Sequence, residues 1–247
     1  MISKTHTKYI QSLHHKKFRD EYGVFIAEGP KVVLDMLETG MYFCKELFTT
    51  NKWLDNYTRL VAIKEETEIV ELQDFELEKI SALTTPHQVL AVFEKQQAQV
   101  PANVNGQITL VLETIQDPGN LGTIIRTADW FGLKNIICSP DCVEMYNPKV
   151  VQSAMGSLGR VNVCNTSLVE WLLQNQHIPS FACTLNGRSA DQLGQLKEGL
   201  FIIGNESKGI SEELLKQANE QITIPGKGGA ESLNAAVASG IILALAS

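Results

Sequence analysis

Two hydrophobic rhythms alternate along the chain, one of period two and one of period 3.6. Up to about residue 95 the runs are short. "GVFIAEG" reads as a strand, and Pro30 opens a helix with Val32, Val33, Met36 and Leu37 on one face and Gly40 just past its end. "KELFTT" and "RLVAIK" read as strands, "LQDFELEKISAL" as a helix and "QVLAVFEK" as a closing strand. Residues 1–95 are therefore expected to form a small α/β domain. The stretch "KQQAQVPANVNGQ" then breaks the pattern: it is polar, holds Pro101 and Gly106, and lacks periodicity, so residues 96–107 read as a linker. From Ile108 the strands become almost continuously apolar: "ITLVLE", "NIICSP", "SFACTL", "LFIIG" and "QITIP". Strands apolar on both faces and separated by helical segments make a parallel sheet covered by helices, so residues 108–247 are expected to form a second α/β domain.

Composition narrows this reading only a little. Of 247 residues 44% are hydrophobic and 20% charged, as in ordinary globular domains with a buried core. The polar, basic start lacks the apolar run of a signal peptide, and "AAVASGIILALA" is too short to span a bilayer. A cytoplasmic protein with no membrane partner is expected. Five cysteines, odd in number and scattered, argue against a disulfide framework; Cys138 and Cys142 in "CSPDC" lack a second ligand pair for zinc, so buried free thiols and no metal are expected. The net charge of −7 disfavours nucleic acid, but the distribution does not: residues 1–19 hold Lys4, Lys8, Lys16, Lys17 and Arg19 and no carboxylate. A solvated basic helix and an RNA-contacting arm fit that segment equally.

Three loops have residues suited to chemistry. In "LETIQDPGNLGTIIRTADWFG" the strand ends at Glu113 and a helix is expected to start near Asn120, a good N-cap, with Leu121, Ile124, Ile125, Ala128 and Phe131 buried and Gly132 as the stop. Arg126 falls off that stripe, near the carboxyl end of the sheet where open α/β folds bind ligands. In "LFIIGNESKGISEELL" the spacing of Gly204 and Gly209 imitates a phosphate-binding P-loop, yet Ile210 stands where its lysine should be, which excludes a nucleoside triphosphatase. Ser211 caps the helix that follows. In "IPGKGGAESLNAAVASG", Gly226, Gly228 and Gly229 allow sharp bending and close approach to a ligand, before a helix expected near Ser232 with Asn234 in its first turn. Their spacing is not that of a dinucleotide fold. Each loop alone reads as a cap or a turn.

Together, in this order, "NLGTIIRTADWFG", "LFIIGNESKGIS" and "ITIPGKGGAESLNAAVASG" resemble the three signature motifs of the SpoU (TrmH) family of RNA ribose 2′-O-methyltransferases, over residues 108–247. "YIQSLHHKKFRDEYGVFIAEGPKVV" resembles the family's substrate-binding domain, related to a ribosomal RNA-binding protein fold. Gly226 and Lys227 depart from the pattern, where many relatives have methionine after the proline. The resemblance implies a deep trefoil knot of the SPOUT class, S-adenosylmethionine as methyl donor, ribosomal or transfer RNA as partner and acceptor, and a homodimer. It implies that Gly204, Ile224 and Leu233, with Thr184 as a further candidate, hold the cofactor. Arg126 would grip the phosphate beside the target ribose, Asn120 and Asn234 would position the hydroxyl and loops, Ser232 would orient neighbours, and Glu206 would hold Arg126 or a loop amide. Lys4, Lys8, Lys16, Lys17 and Arg19 would meet RNA phosphates.

The rival readings are a non-catalytic RNA-binding or ribosome-assembly factor on the same fold, a methyltransferase of the Rossmann-like class and a base-methylating relative. Asn120, Arg126, Glu206, Ser232 and Asn234 are all present, where a retired enzyme can lose some. "LETIQDPGN" lacks the glycine-rich loop of the Rossmann-like class, and Arg126 with "SLN" disfavours base methylation.

Overall fold

The computed structural model describes residues 2–57 and 63–246. The chain divides into two compact units, residues 1–97 with 146–160, and residues 98–145 with 161–247.

The first unit begins with α1 (Lys4–Ser12) and α2 (Lys16–Tyr22), followed by β1 (Val24–Glu28), α3 (Pro30–Thr39), β2 (Cys44–Thr49), α4 (Asn51–Tyr57), β3 (Glu68–Glu71), α5 (Asp74–Ile80) and β4 (Val89–Glu94). Its sheet runs β1-β4-β2-β3, antiparallel except for the β2/β3 pair. Helix α3 starts at Pro30 and ends at Gly40, whose φ of 61° is left-handed. Strand β3 was hidden in the sequence because "EIVE" has only two apolar residues and Ile69 is exposed. Helix α5 is correspondingly shorter than the hydrophobic pattern suggested, closed by a capping box between Gln73 and Glu76. The expected strand "RLVAIK" lies largely outside the described residues.

The basic N-terminal segment is folded, not a free arm. Ser3 Oγ caps α1 by accepting the His6 N–H at 3.1 Å, and Ile10 and Leu13 are fully buried with Val24, Ile26, Phe48 and Leu90. Lys4, Lys8, Lys16 and Lys17 remain exposed. Arg19 does not: it is 1% exposed, and its Nη1 donates to the Leu13 carbonyl at 2.9 Å. The expectation that Arg19 meets RNA is therefore corrected. Its guanidinium turns inward because the chain leaving α1 offers a buried carbonyl that needs a donor.

The second unit contains β5 (Ile108–Leu112), α6 (Pro118–Trp130), β6 (Asn135–Cys138), β7 (Asn162–Asn165), α8 (Leu168–Gln174), β8 (Ser180–Ser189), β9 (Gly199–Ile203), α9 (Glu212–Gln217), β10 (Glu220–Thr223) and α10 (Ala235–Ala246). The intervening helix α7 (Pro148–Ala154) packs on β1 and belongs to the first unit. The sheet order is β10-β8-β9-β5-β6-β7, and every pairing is parallel. Val111, Ile137, Leu200 and Ile202 meet Leu168, Trp171 and Leu214 from the covering helices. Each such buried side chain contributes roughly 1.5–3 kcal/mol, which holds the sheet firmly beneath its loops. Residues 98–107, read above as a linker, lie along this unit: Val104 is buried in its core, and Trp171 Nε1 donates to the Pro101 carbonyl at 3.1 Å.

Between β8 and β10 the ladder is interrupted. Gln221 faces Ala182, but Ile222 faces Arg188, so Cys183–Gly187 loops out. Gly187 passes so close to the Gln221 carbonyl that a Cβ there would stand 2.5 Å from its oxygen. Only glycine fits. No helix among the described residues is long and apolar enough to cross a membrane.

Candidate active site

Parallel neighbours end at the same edge of a sheet, so the loops following β5, β9 and β10 open at a common carboxyl edge. The first caps α6 three residues before the expected place. Pro118 occupies the first helical position and Asp117 is the cap, its Oδ1 accepting the Asn120 N–H at 2.8 Å. Proline has no N–H to satisfy and a preset φ, which moves the boundary upstream of Asn120. Asn120 is thereby freed from capping.

Its side chain links the loops instead. Asn120 Nδ2 donates to Glu206 Oε1 at 2.5 Å, and Asn120 Oδ1 accepts Asn234 Nδ2 at 2.8 Å. Asn234 Oδ1 in turn accepts the Ala236 and Val237 N–H groups at 3.0 and 3.4 Å, so Asn234, not Ser232, caps α10. Ser232 and Leu233 lie in the loop before the helix, both exposed. The orientations follow from one end: a carboxylate only accepts, which turns the Asn120 amide toward Glu206 and its oxygen toward Asn234. Three loops, 86 and 114 residues apart in the chain, are locked in sequence.

The loop carrying Glu206 is itself tightly folded. Asn205 and Gly209 exchange backbone hydrogen bonds of 3.1 and 2.8 Å. Gly204 lies against this turn, where a Cβ would be 2.3 Å from the Gly209 oxygen. Asn205 Oδ1 accepts the N–H groups of Ser207 and Lys208, while its Nδ2 donates to the Thr114 carbonyl at 3.0 Å. Ser211 caps α9 as expected, and its own N–H donates to Glu113 Oε2 at 2.8 Å. Sequence reasoning missed Asn205, Glu113 and Thr114 as organisers. The signal for Asn205 was present: asparagine just after a strand commonly folds its side chain over the following turn.

The other expected site residues are less tied down. Thr184, in the stretch looped out of β8, donates its hydroxyl to the Asn186 carbonyl. Ile224 follows β10 and is half-buried. Gly226, Gly228 and Gly229 do not have positive φ, so their use is not the sharp bend expected of them; a Cβ at each would meet nothing within 4 Å. Arg126 is exposed on α6, and among the described residues no hydrogen bond or ion pair holds it. It lies six residues beyond Asn120, about 9 Å along the axis and two-thirds of a turn around it. One turn on, Trp130 is 86% exposed. Four of the cysteines are buried free thiols and Cys183 is half-buried; no group of three metal-ligating side chains occurs among the described residues.

The fold has solved counterparts. The model of the SpoU rRNA Methylase family matches residues 107–244, and that of the MRM3-like substrate binding domain matches residues 4–91. The chain is 28% identical to the Bacillus subtilis 23S rRNA (guanosine(2553)-2′-O)-methyltransferase RlmP, over 94% of this chain and 92% of that one. Among solved structures, one assigned to the TrmH family of RNA methyltransferases, from Porphyromonas gingivalis, is 36% identical with a TM-score of 0.88, covering 99% of this chain and 98% of its own. An rRNA methyltransferase from Sinorhizobium meliloti with AdoMet bound is 29% identical with a TM-score of 0.87, covering 99% and 95%. The match to the first model takes in the whole parallel sheet and all three locked loops, and the chain belongs to the SpoU rRNA methylase family.

Proposed function

We propose that the protein transfers a methyl group from S-adenosylmethionine to a ribose 2′-hydroxyl of ribosomal RNA, in the cytoplasm. The observation that carries this is the hydrogen-bonded series Glu206–Asn120–Asn234, which fixes three loops at one edge of a parallel sheet. The surroundings fit the donor. Ile224 and Leu233 offer apolar surface, Gly204 follows β9 and Thr184 lies in the looped-out stretch of the neighbouring β8, and the open space around Gly226, Gly228 and Gly229 leaves their backbone groups accessible. Bound there, the donor supplies a sulfonium methyl whose positive charge is lost on transfer.

The chain's own residues align and polarise. Asn120 and Asn234 set the loops against which the ribose rests, and Glu206 holds Asn120 in orientation. Arg126 binds the phosphate beside the target ribose and stabilises the forming alkoxide. Its guanidinium stays charged, so the proton passes to a phosphate oxygen or water. Because Arg126 stands two-thirds of a turn around α6 from Asn120 and is exposed, the site is completed by Arg126 of a second copy. Two features support that dimer: Trp130 is largely exposed, and α10 contains no charged residue although Val237 is 51% exposed. Lys4, Lys8, Lys16 and Lys17 supply phosphate contacts on the first unit. The trefoil threading is part of the proposal, supported by the bond from the Leu196 N–H, after β8, to the Ala246 carbonyl at the end of α10.

Arg126→Ala should abolish methyl transfer to ribosomal RNA from cells lacking this gene, with donor affinity close to wild type. Equal loss of both would make Arg126 structural. RNA binding by the wild-type protein without any methyl transfer would favour the assembly-factor reading.

A further inference from the structure

Among the described residues, Thr114 is one of three non-glycine residues with positive φ, at 56°. A β-branched side chain is a poor occupant of that region, and such backbone persists only where its surroundings impose it. The surroundings do. The Thr114 N–H donates to Ser139 Oγ at 2.9 Å, and its hydroxyl donates to Asp141 Oδ2 at 2.6 Å. Ser139 donates to the other oxygen of the same carboxylate. These two hydroxyls, Ser139's first, hold the Asp141 carboxyl below its usual range. The loop after β6 thus grips the end of β5 by its side chain and its amide.

The bend has a consumer. The Thr114 carbonyl accepts Asn205 Nδ2, and Asn205 is the residue whose Oδ1 closes the turn bearing Glu206. A continuous series therefore runs from Asp141 through Thr114 and Asn205 to the Glu206 turn, and from Glu206 to Asn120 and Asn234. Neither Thr114 nor Asp141 belongs to that last group.

We propose that Thr114 and Asp141 are positioning residues for methyl transfer: the carboxylate holds a strained threonine whose carbonyl sets the Glu206 turn, and so the register of Asn120. The strain makes the arrangement directional. If the hydroxyl anchor is lost, the peptide can relax to an ordinary conformation, and the carbonyl leaves Asn205. Stability and activity then separate, because relaxation favours the folded chain while it misplaces the site. This rests on the catalytic reading given above.

The test compares Thr114→Val, Asp141→Ala and Thr114→Ser in the full chain, with labelled S-adenosylmethionine and ribosomal RNA from cells lacking this gene. Valine keeps the β-branch and its strain but has no hydroxyl; serine keeps the hydroxyl. Thr114→Val and Asp141→Ala should lower kcat about tenfold, the effect of a modest misplacement of reacting groups. KM for donor and RNA should change less than about twofold, and Tm should stay within about 4 °C of wild type. Thr114→Ser should keep wild-type kcat. Hydrogen exchange at the Ser207 and Lys208 amides should quicken in the first two variants and not in the third. Wild-type kcat and exchange in Thr114→Val would overturn the proposal, as would a loss of kcat that tracks Tm across all three. If wild-type protein transfers no methyl group, the catalytic reading fails, and the exchange measurement still decides whether the clamp holds the turn.

Discussion

Gly204 and the glycines of the last loop make opposite predictions from the same substitution. A methyl group at Gly204 would lie 2.3 Å from the Gly209 oxygen, 2.4 Å from its carbon and 2.7 Å from the Ile210 nitrogen. All three are backbone atoms, so no side chain can swing aside. A tolerable carbon–oxygen contact needs about 3.3 Å, hence a displacement of about 1 Å. Overpacking of this kind costs about 1–3 kcal/mol. Opening the turn also endangers the two Asn205–Gly209 bonds, at about 1 kcal/mol each. Gly204→Ala should therefore lose about 2–5 kcal/mol, a large share of the roughly 5–15 kcal/mol that holds a typical domain. Gly226→Ala, Gly228→Ala and Gly229→Ala meet nothing within 4 Å and have no positive φ, so each should cost no more than about 0.5 kcal/mol. If that space receives the methyl donor, the same three changes should weaken donor binding while leaving stability intact. Equilibrium unfolding in urea gives the first quantity and titration calorimetry with S-adenosylmethionine the second. A wild-type midpoint for Gly204→Ala would refute the claim of rigid backbone contact. Undiminished donor affinity in all three loop variants would move the donor elsewhere.

Two further predictions separate roles that charge and apolarity alone confuse. Arg19→Met should destabilise the protein by about 1–3 kcal/mol, the cost of leaving the buried Leu13 carbonyl without its donor, and should leave RNA affinity unchanged in a filter-binding assay. Lys8→Ala and Lys17→Ala should do the reverse, each reducing the slope of log affinity against log salt by roughly 0.7–0.9; unaltered slopes would remove the basic helices from the RNA-binding surface. Trp130→Glu should convert a dimer into monomers by light scattering and abolish methyl transfer without lowering Tm. An active wild-type monomer would refute the shared site.

Much of this fold was legible because burial on both faces leaves a plain record. All five apolar runs after Ile108 became strands of the parallel sheet, and Pro30 and Gly40 marked α3 at both ends. The strands that escaped notice, β3 and β7, flank their sheets, where "EIVE" and "NVCN" need few apolar residues. Arg19 misled for a different reason. Positive charge counts equally in a sequence wherever the side chain points, and its direction was decided by a carbonyl six residues away.

The site was legible as a set of residue types and not as a set of bonds. Asn120 reads as a helix cap, and asparagine favours that place; Pro118 and Asp117 pre-empt it, and only then is the amide available to Glu206. Once Glu206 is beside it, every later orientation follows, because an acceptor-only group leaves each asparagine a single way to turn. Local sequence holds the propensities, whereas the partners lie 86 and 114 residues away and are brought together by strand order. Thr114 is the extreme case. Nothing in its type suggests a left-handed backbone, since threonine is disfavoured there, and the conformation exists only because Ser139, Asp141 and Asn205 each demand it. Residues that act against their own propensity are the ones a propensity reading passes over, and here they hold the turn that bears Glu206.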